Sequence, residues 1–204
     1  MPTYQRAYDP RVPVVCRDEA RQQLIAAVAV PLPTKPGPMQ RVDDEDERKG
    51  GCNQCVLCEP LRGWRHVKVT QRRTTRDWAW CLREWLAVYY PAALQIHLVL
   101  DHLNTHTGAS LSETLAPEVA RRLRDRLEFH YPPKQARWLN RAEIAIGVLN
   151  RPCLSRRLDS EPTMGQESAA WEAKRHGNGV KLHWTFTIAV ARAKRRKLYP
   201  SIED

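Results

Sequence analysis

Apolar residues recur along the chain with two different periods, and these periods separate strands from helices. Residues 64–70 alternate between polar and apolar side chains, as a half-buried strand does. In residues 75–90 the apolar positions recur every three or four residues, which predicts an amphipathic helix that Pro91 ends. The clearest strand is residues 96–100, and it runs directly into Asp101. The middle of the chain is therefore predicted to be strand, helix, strand.

Weaker patterns complete the order of elements. A short apolar run at 12–16 leads into Arg17-Asp18-Glu19 and predicts a buried strand that ends in acids. The other expected elements are strands near 56–58 and 127–130, helices over 111–123, 138–149 and 167–175, and a basic helix that ends near Leu198. This order predicts an α/β fold with three layers.

We divide the 204 residues into a main unit and an extension. Residues 1–160 are expected to form one domain, in which 30–60 contribute a variable loop and a hairpin. Five consecutive acidic residues at 43–47 indicate a solvent-exposed segment within that loop. Residues 161–204 are expected to form a basic helical extension that packs on the domain.

Composition narrows the class of protein. Hydrophobic residues make up 42% of the chain and charged residues 27%, which excludes a wholly disordered or collagen-like chain. The longest apolar run, 24–32, is far shorter than the roughly 20 residues of a membrane span. The N-terminus lacks the apolar segment of a signal peptide, so we expect a soluble, cytoplasmic protein. The net charge of +10 favours a polyanionic partner, most simply nucleic acid.

Three acidic residues are candidates for a catalytic or metal-binding site because of their positions. Asp18 and Asp101 follow predicted strands, and Glu143 lies in the apolar run 142–149. The ends of adjacent parallel strands converge, so the two aspartates are expected to lie side by side, and a divalent cation would relieve their repulsion. Each acid also has an ordinary structural interpretation. Asp18 could cap a helix over 19–28, Asp101 could begin a turn, and Glu143 could pair with a nearby arginine.

Three segments that contain these acids resemble known catalytic motifs in the correct order. Val14-Val15-Cys16-Arg17-Asp18-Glu19-Ala20, Leu98-Val99-Leu100-Asp101-His102-Leu103-Asn104-Thr105-His106-Thr107 and Trp138-Leu139-Asn140-Arg141-Ala142-Glu143 are similar to the motifs of bacterial insertion-sequence transposases of the mariner-like DDE superfamily. Linking segments at 33–37, 63–70 and 197–204 resemble the family as well. The resemblance extends over nearly the whole chain.

The resemblance implies an RNase H-like fold with a mixed central sheet and a metal-dependent activity on DNA. By motif position, Asp18, Asp101 and Glu143 would hold two Mg²⁺ or Mn²⁺ ions that act in DNA strand cleavage and strand transfer. The expected supporting residues in the same motifs are Glu19, Asn104, His106 and Asn140. The expected partner is double-stranded DNA, both element ends and target, bound by a homodimer. The protein would then be associated with the nucleoid.

Departures from the family pattern keep a second function open. Ala20, His102 and the 43–58 segment differ from the residues usual in the family, which favours an inactive remnant that binds DNA or a partner chain without cutting. The family also carries an N-terminal helix-turn-helix region, and this chain begins just before the first motif. We therefore expect the catalytic half alone, with a recognition half supplied by a separate chain or lost by truncation.

Cysteines and basic residues offer further candidates. Cys52, Cys55 and Cys58 could bind zinc, but residues three apart in a strand face opposite sides, so free thiols are favoured. The residues chosen as DNA contacts are Arg65, Lys68, Lys134, Arg137 and Arg141. The run 192–197 could contact phosphates or form a solvated face.

Overall fold

A five-stranded mixed sheet forms the centre of the protein. The computed structural model describes residues 2–28, 45–101, 107–133, 137–154 and 156–178. The strands are β1 (Val14–Ala27), β2 (Asp46–Glu59), β3 (Trp64–Thr70), β4 (Ile96–Val99) and β5 (Leu127–His130). Their order across the sheet is β3-β2-β1-β4-β5. The β1–β2 and β2–β3 pairs are antiparallel, whereas β1–β4 and β4–β5 are parallel.

Helices cover both faces of this sheet. They are α1 (Thr75–Tyr89), α2 (Gly108–Thr114), α3 (Pro117–Asp125), α4 (Arg141–Cys153) and α5 (Glu161–Gly177), and short 3₁₀ turns occupy Pro2–Gln5 and Arg137–Leu139. One core lies between the sheet and α1–α3, where Trp78, Trp85 and Leu111 are buried. A second core lies between the sheet and α4–α5, around Leu149 and Met164. The predicted three-layer α/β architecture with a mixed sheet is confirmed.

Strong local signals placed several elements correctly. Strand β3 and strand β5 have the predicted bounds, and α1 begins where expected because Thr74 and Asp77 form a reciprocal capping box at its N-terminus. Strands β2 and β3 are joined by a tight turn that contains Gly63. Gly63 adopts a φ of 80° there, a conformation that side chains disfavour, and its N–H donates to the Glu59 carbonyl.

The first strand is much longer than the sequence indicated. Residues 17–27 are rich in helix formers, yet β1 continues through them because it pairs with β2 from Cys16–Cys58 to Ala27–Asp46. Asp18 is therefore inside a strand, and the predictions that it ends a strand or caps a helix are wrong. Within the expected loop and hairpin at 30–60, β2 begins at Asp46 and pairs antiparallel with β1 and β3, and residues 29–44 lie outside the described residues.

Three helix boundaries also differ from the prediction. The single helix expected over 111–123 is two helices, because Pro117 begins α3 after Leu115 has ended α2. Helix α4 starts at Arg141 rather than 138, and α5 starts at Glu161 rather than 167. The predicted basic helix that ends near Leu198 lies outside the described residues.

Candidate active site

Asp18 and Asp101 are buried near the start of α4, at matching positions in the register of β1 and β4. Strands β1 and β4 pair in parallel from Val14–His97 to Cys16–Val99, and continuing this register by two residues brings Asp18 opposite Asp101. Val14, Cys16 and Val99 pack against Ala142 of α4. Because side chains alternate along a strand, Asp18 and Asp101 share that face. Their exposed fractions are only 5% and 3%.

Asn140 connects this pair of acids to α4. Its Nδ2 donates to the Arg17 carbonyl at 2.9 Å and to Asp101 Oδ1 at 3.3 Å. Its Oδ1 accepts the N–H of Ala142 at 3.2 Å and so caps the helix. The fully buried Asn140 side chain therefore fixes the start of α4 relative to both strands, and it orients the Asp101 carboxylate. The backbone N–H of Glu19 donates to Asp18 Oδ1 at 2.7 Å.

Glu143 lies in the first turn of α4, three residues after this cap. Its side chain is exposed, which differs from the expectation of a carboxylate within an apolar helix face. The apolar face of α4 consists instead of Ala142, Ala145 and Leu149. The sequence pattern predicts a helix from 138 and so places Glu143 further from the helix N-terminus than it is. In the structure α4 begins at Arg141, directly after the Asn140 cap.

A second helix-positioning residue, Tyr4, was not identified from the sequence. Its hydroxyl donates to the Leu139 carbonyl at 2.8 Å, just before α4. The Arg141 guanidinium lies 4.2 Å from the centre of its ring. Burial raises the pKa of Tyr4, so the hydroxyl remains a donor. Tyr4 thus holds the same turn that carries Asn140, and nothing in its local sequence signals this contact.

Glu19 lies on the opposite face of the sheet, so the prediction that it supports the site is corrected. Its carboxylate forms a buried ion pair with Arg17 and a second one with Arg73, whose Nε is 3.0 Å from Oε2. The Arg17 guanidinium lies 5.8 Å and 5.6 Å from the ring centres of Trp78 and Trp85 in α1. Glu19 belongs to a structural cluster, because neighbouring residues of a strand face opposite sides.

Two of the predicted DNA contacts are buried. Arg65 is 3% exposed and lies 5.7 Å from the ring centre of Trp171, and Arg141 is 6% exposed beneath Tyr4. Both therefore pack within the protein, and charge in the sequence did not reveal that aromatic rings cover them. Lys68 is partly exposed and pairs with Glu84 of α1, on the face opposite Asp18.

The remaining predicted site residues cannot be placed. Asn104, His106 and Lys134, together with His102, lie outside the described residues, and only the backbone of Arg137 is described. Their roles stay predictions.

The cysteines of the 52–58 segment do not converge. Cys55 packs in the core beneath α1, whereas Cys52 and Cys58 lie in the cores on the other face. The prediction from strand geometry is confirmed. Among the described residues, the thiols form no group of three metal ligands.

The donor set on the α4 face suits a hard divalent cation. Asp18, Asp101 and Glu143 offer carboxylate oxygens, the ligands that Mg²⁺ and Mn²⁺ prefer. Asn140 orients one of these carboxylates through its N–H, as partners of metal ligands commonly do. The two buried aspartates lie in β1 and two residues after the end of the adjacent strand β4. The residues present therefore fit a metal-binding role.

Comparisons with known proteins agree with this geometry. A family model described as DDE superfamily endonuclease matches residues 13–164, which include all three acids. The structure resembles the Mos1 mariner paired end complex with Mn (TM-score 0.57, 13% identity), with 95% of this chain and 55% of that chain covered. It also resembles the Mos1 strand transfer complex (0.55, 13%, 91% and 52%) and a pre-cleavage Mos1 transpososome (0.56, 12%, 82% and 51%).

The Mos1 chains that resemble this protein are longer than it is. The structural likeness confirms the predicted RNase H-like fold, and the chain spans about half the length of the Mos1 chains that it matches. No curated protein sequence matches the chain. Among the residues that the structure describes, no helix combines the length and the apolar character needed to cross a bilayer.

Proposed function

Since the chain belongs to the DDE superfamily endonuclease family, we propose that it is a transposase catalytic domain that cuts and transfers DNA strands. The observation that carries the proposal is the buried pair of Asp18 and Asp101. The parallel β1–β4 pairing brings these acids together, and Asn140 links them to the helix that carries Glu143. Burying two carboxylates side by side costs free energy that a bound cation offsets.

In this proposal Asp18, Asp101 and Glu143 hold two Mg²⁺ or Mn²⁺ ions. When bound, such ions activate the attacking oxygen and stabilise the leaving oxygen of a phosphodiester. The residues of the chain have separate tasks. Asp18 and Asp101 supply rigid ligands from the sheet, Asn140 orients Asp101, and Glu143 supplies an exposed ligand from the helix. An exposed carboxylate can approach when metal and DNA are present.

We propose double-stranded DNA, both the element ends and the target, as the partner, bound by a homodimer. The net charge of +10 supports a polyanionic partner, and one of the similar structures is a Mos1 transposase paired-end complex with left transposon end. A separate helix-turn-helix chain would recognise the element ends in this scheme. Such a protein would be cytoplasmic and associated with the nucleoid.

Two observations favour a second function, an inactive remnant that binds DNA or a partner chain. The Glu143 side chain is exposed whereas both aspartates are buried, and Ala20 stands where the family usually has a lysine or a small polar residue. A chain that has lost its metal site would keep the fold and the basic charge. It would bind DNA without cutting it.

A cleavage assay separates these two functions. Purified protein is incubated with an end-labelled DNA duplex and Mg²⁺ or Mn²⁺, beside Asp101→Asn and Glu143→Gln. Asp125→Asn is the matched control, because it makes the same change at an exposed acid of α3. We expect metal-dependent nicking by the wild type and the control, and a loss of about 1,000-fold or more in both site variants. DNA binding, followed by fluorescence anisotropy, should persist in all four proteins.

The other outcomes also have a definite meaning. Nicking retained in either site variant would refute the assignment of the three acids. If the wild type binds DNA but does not cut, even after a helix-turn-helix chain of the family is added, the remnant function is supported instead.

A further inference from the structure

A cluster of two histidines and one glutamate lies between β4 and the edge strand β5. His97 is in β4, and Glu128 and His130 are in β5. The parallel register places Glu128 beside His97, and His130 beside Val99. All three side chains lie on the α4 face, because the intervening residues Leu98 and Phe129 pack on the other face.

The ligand atoms of this cluster already lie close together. His97 Nδ1 is 2.9 Å from His130 Nε2 and 3.2 Å from Glu128 Oε2, and His130 Nε2 is 3.0 Å from Glu128 Oε1. A tetrahedral zinc ion with bonds of about 2.0–2.1 Å separates its ligands by about 3.3 Å. The cluster therefore needs only a small expansion to hold such an ion. We propose that His97, Glu128 and His130 form a second metal site that takes one Zn²⁺-type ion.

The chemistry of the ligands distinguishes this site from the carboxylate site. Two imidazoles and one carboxylate suit Zn²⁺ or Co²⁺, whereas Mg²⁺ prefers oxygen ligands only. An imidazole must be neutral to bind a metal ion. Burial lowers the pKa of His97, with contributions in the same direction from Arg6 and His130 and in the opposite direction from Glu128. The ring is only 1% exposed, so its position is fixed.

Arg6 competes with the metal for His97. Its Nη1 is 2.8 Å from His97 Nε2, and because a guanidinium only donates, Nε2 is the acceptor. The neutral ring then carries its proton on Nδ1, the atom that faces His130 and Glu128. A metal ion on Nδ1 requires that proton to move to Nε2, so Arg6 has to leave.

The ion would have a structural effect at two places. It would link β4 to β5. It would also break the contact of Arg6 with His97, and Arg6 belongs to the N-terminal segment that carries Tyr4. Tyr4 contacts the turn before α4. Because this cluster is assembled only in the folded chain, Zn²⁺ bound there is expected to raise the melting temperature.

Calorimetric titration of the full chain with Zn²⁺ tests the site. The variants are His130→Ala and Glu128→Gln, and the matched control is His66→Ala, which removes a histidine from a two-residue pair with Glu172. We expect the wild type and the control to bind Zn²⁺ with the same affinity. His130→Ala should lose about 100-fold or more in affinity, since partners of metal ligands alone account for 10–100-fold. Circular dichroism verifies that every variant is folded.

Further measurements identify the ligands. X-ray absorption of the zinc complex should show nitrogen and oxygen neighbours without sulfur, and millimolar Mg²⁺ should not displace the ion. Arg6→Ala should bind Zn²⁺ several-fold more tightly than the wild type. Absence of Zn²⁺ binding, equal binding by folded His130→Ala, or a sulfur shell would overturn the site. Unchanged affinity in Arg6→Ala would overturn the competition with Arg6.

Discussion

The two faces of β1 use buried acids for different purposes. On the face toward α1, Glu19 is paired with two arginines, one of which lies against the tryptophans of α1. On the face toward α4, the adjacent residue Asp18 lies beside Asp101, and the contacts to these acids include neutral N–H donors from Glu19 and Asn140. Neighbours in one strand thus differ in environment because the strand alternates its side chains.

This difference separates structural from functional acids. Breaking a buried ion pair leaves a charge in an apolar core, so Glu19 should contribute to stability. Two carboxylates held side by side repel each other, so they stabilise the fold less than an ion pair does. Such a pair of acids is typical of a metal site. Substitutions toward α1 should therefore change mainly stability, and substitutions toward α4 should change mainly cutting.

The largest effect on stability is expected for Glu19→Gln. This change leaves the Arg17 guanidinium buried without its carboxylate, which costs about 3–5 kcal/mol. Urea denaturation at pH 7 measures the free energy of unfolding. The double variant Arg17→Met/Glu19→Leu is the control, because replacing both charges by apolar groups should cost less than Glu19→Leu alone. Equal losses in those two proteins would contradict the structural role of the pair.

Asn140→Ala should affect stability and activity together. The helix cap is worth about 1 kcal/mol, and losing the orienting contact to Asp101 should lower cutting about 10–100-fold. Asn140→Ser is the control that separates the two effects, because serine caps helices as well as asparagine but cannot donate to both partners. We expect Ser to recover the stability and not the activity. Full activity in the Ser variant would show that the contact to Asp101 is unnecessary.

The smallest effect concerns Glu59, a fourth buried acid, which accepts a hydrogen bond from Tyr90. Burial raises the pKa of Glu59, while Arg62 and the Tyr90 hydrogen bond oppose the change. A raised pKa in the folded state means that the contribution of this group to stability is complete at low pH. It is lost as the pH rises through the folded-state pKa.

Glu59→Gln should therefore gain stability relative to the wild type as the pH is raised from 4 toward 7. Urea midpoints of both proteins across that range measure the difference. A difference that does not change with pH, or one that moves the other way, would contradict the raised pKa.

Local patterns predicted the elements whose periods and caps are unambiguous. Strand β3, strand β5 and the start of α1 follow from alternation and from the Thr74–Asp77 cap. The segment Arg17–Ala27 could not be placed in this way, because its residues favour a helix and only pairing with β2 makes it a strand. The start of α4 could not be predicted from local sequence either, because it depends on the contact of Asn140 with Arg17 of β1.

The acidic residues of the candidate site could be predicted from the sequence, whereas the contacts of the residues around them could not. Asp18, Asp101 and Glu143 were selected by motif, and the sheet register brings the first two together. The burial of Arg65 and Arg141 depends on aromatic rings distant in sequence, Trp171 and Tyr4, which charge alone cannot indicate. The cluster of His97, Glu128 and His130 needs the β4–β5 register, which no local pattern contains.

Asp18→Asn and Glu19→Gln, compared in one cutting assay, test the central claim most directly. The two residues are neighbours in β1, and both changes replace a carboxylate by the amide of the same size. At a temperature where both variants are folded, we predict that Asp18→Asn loses metal-dependent cutting and that Glu19→Gln keeps it. Cutting retained by folded Asp18→Asn, or lost equally in both folded variants, would contradict the division of roles between the two faces.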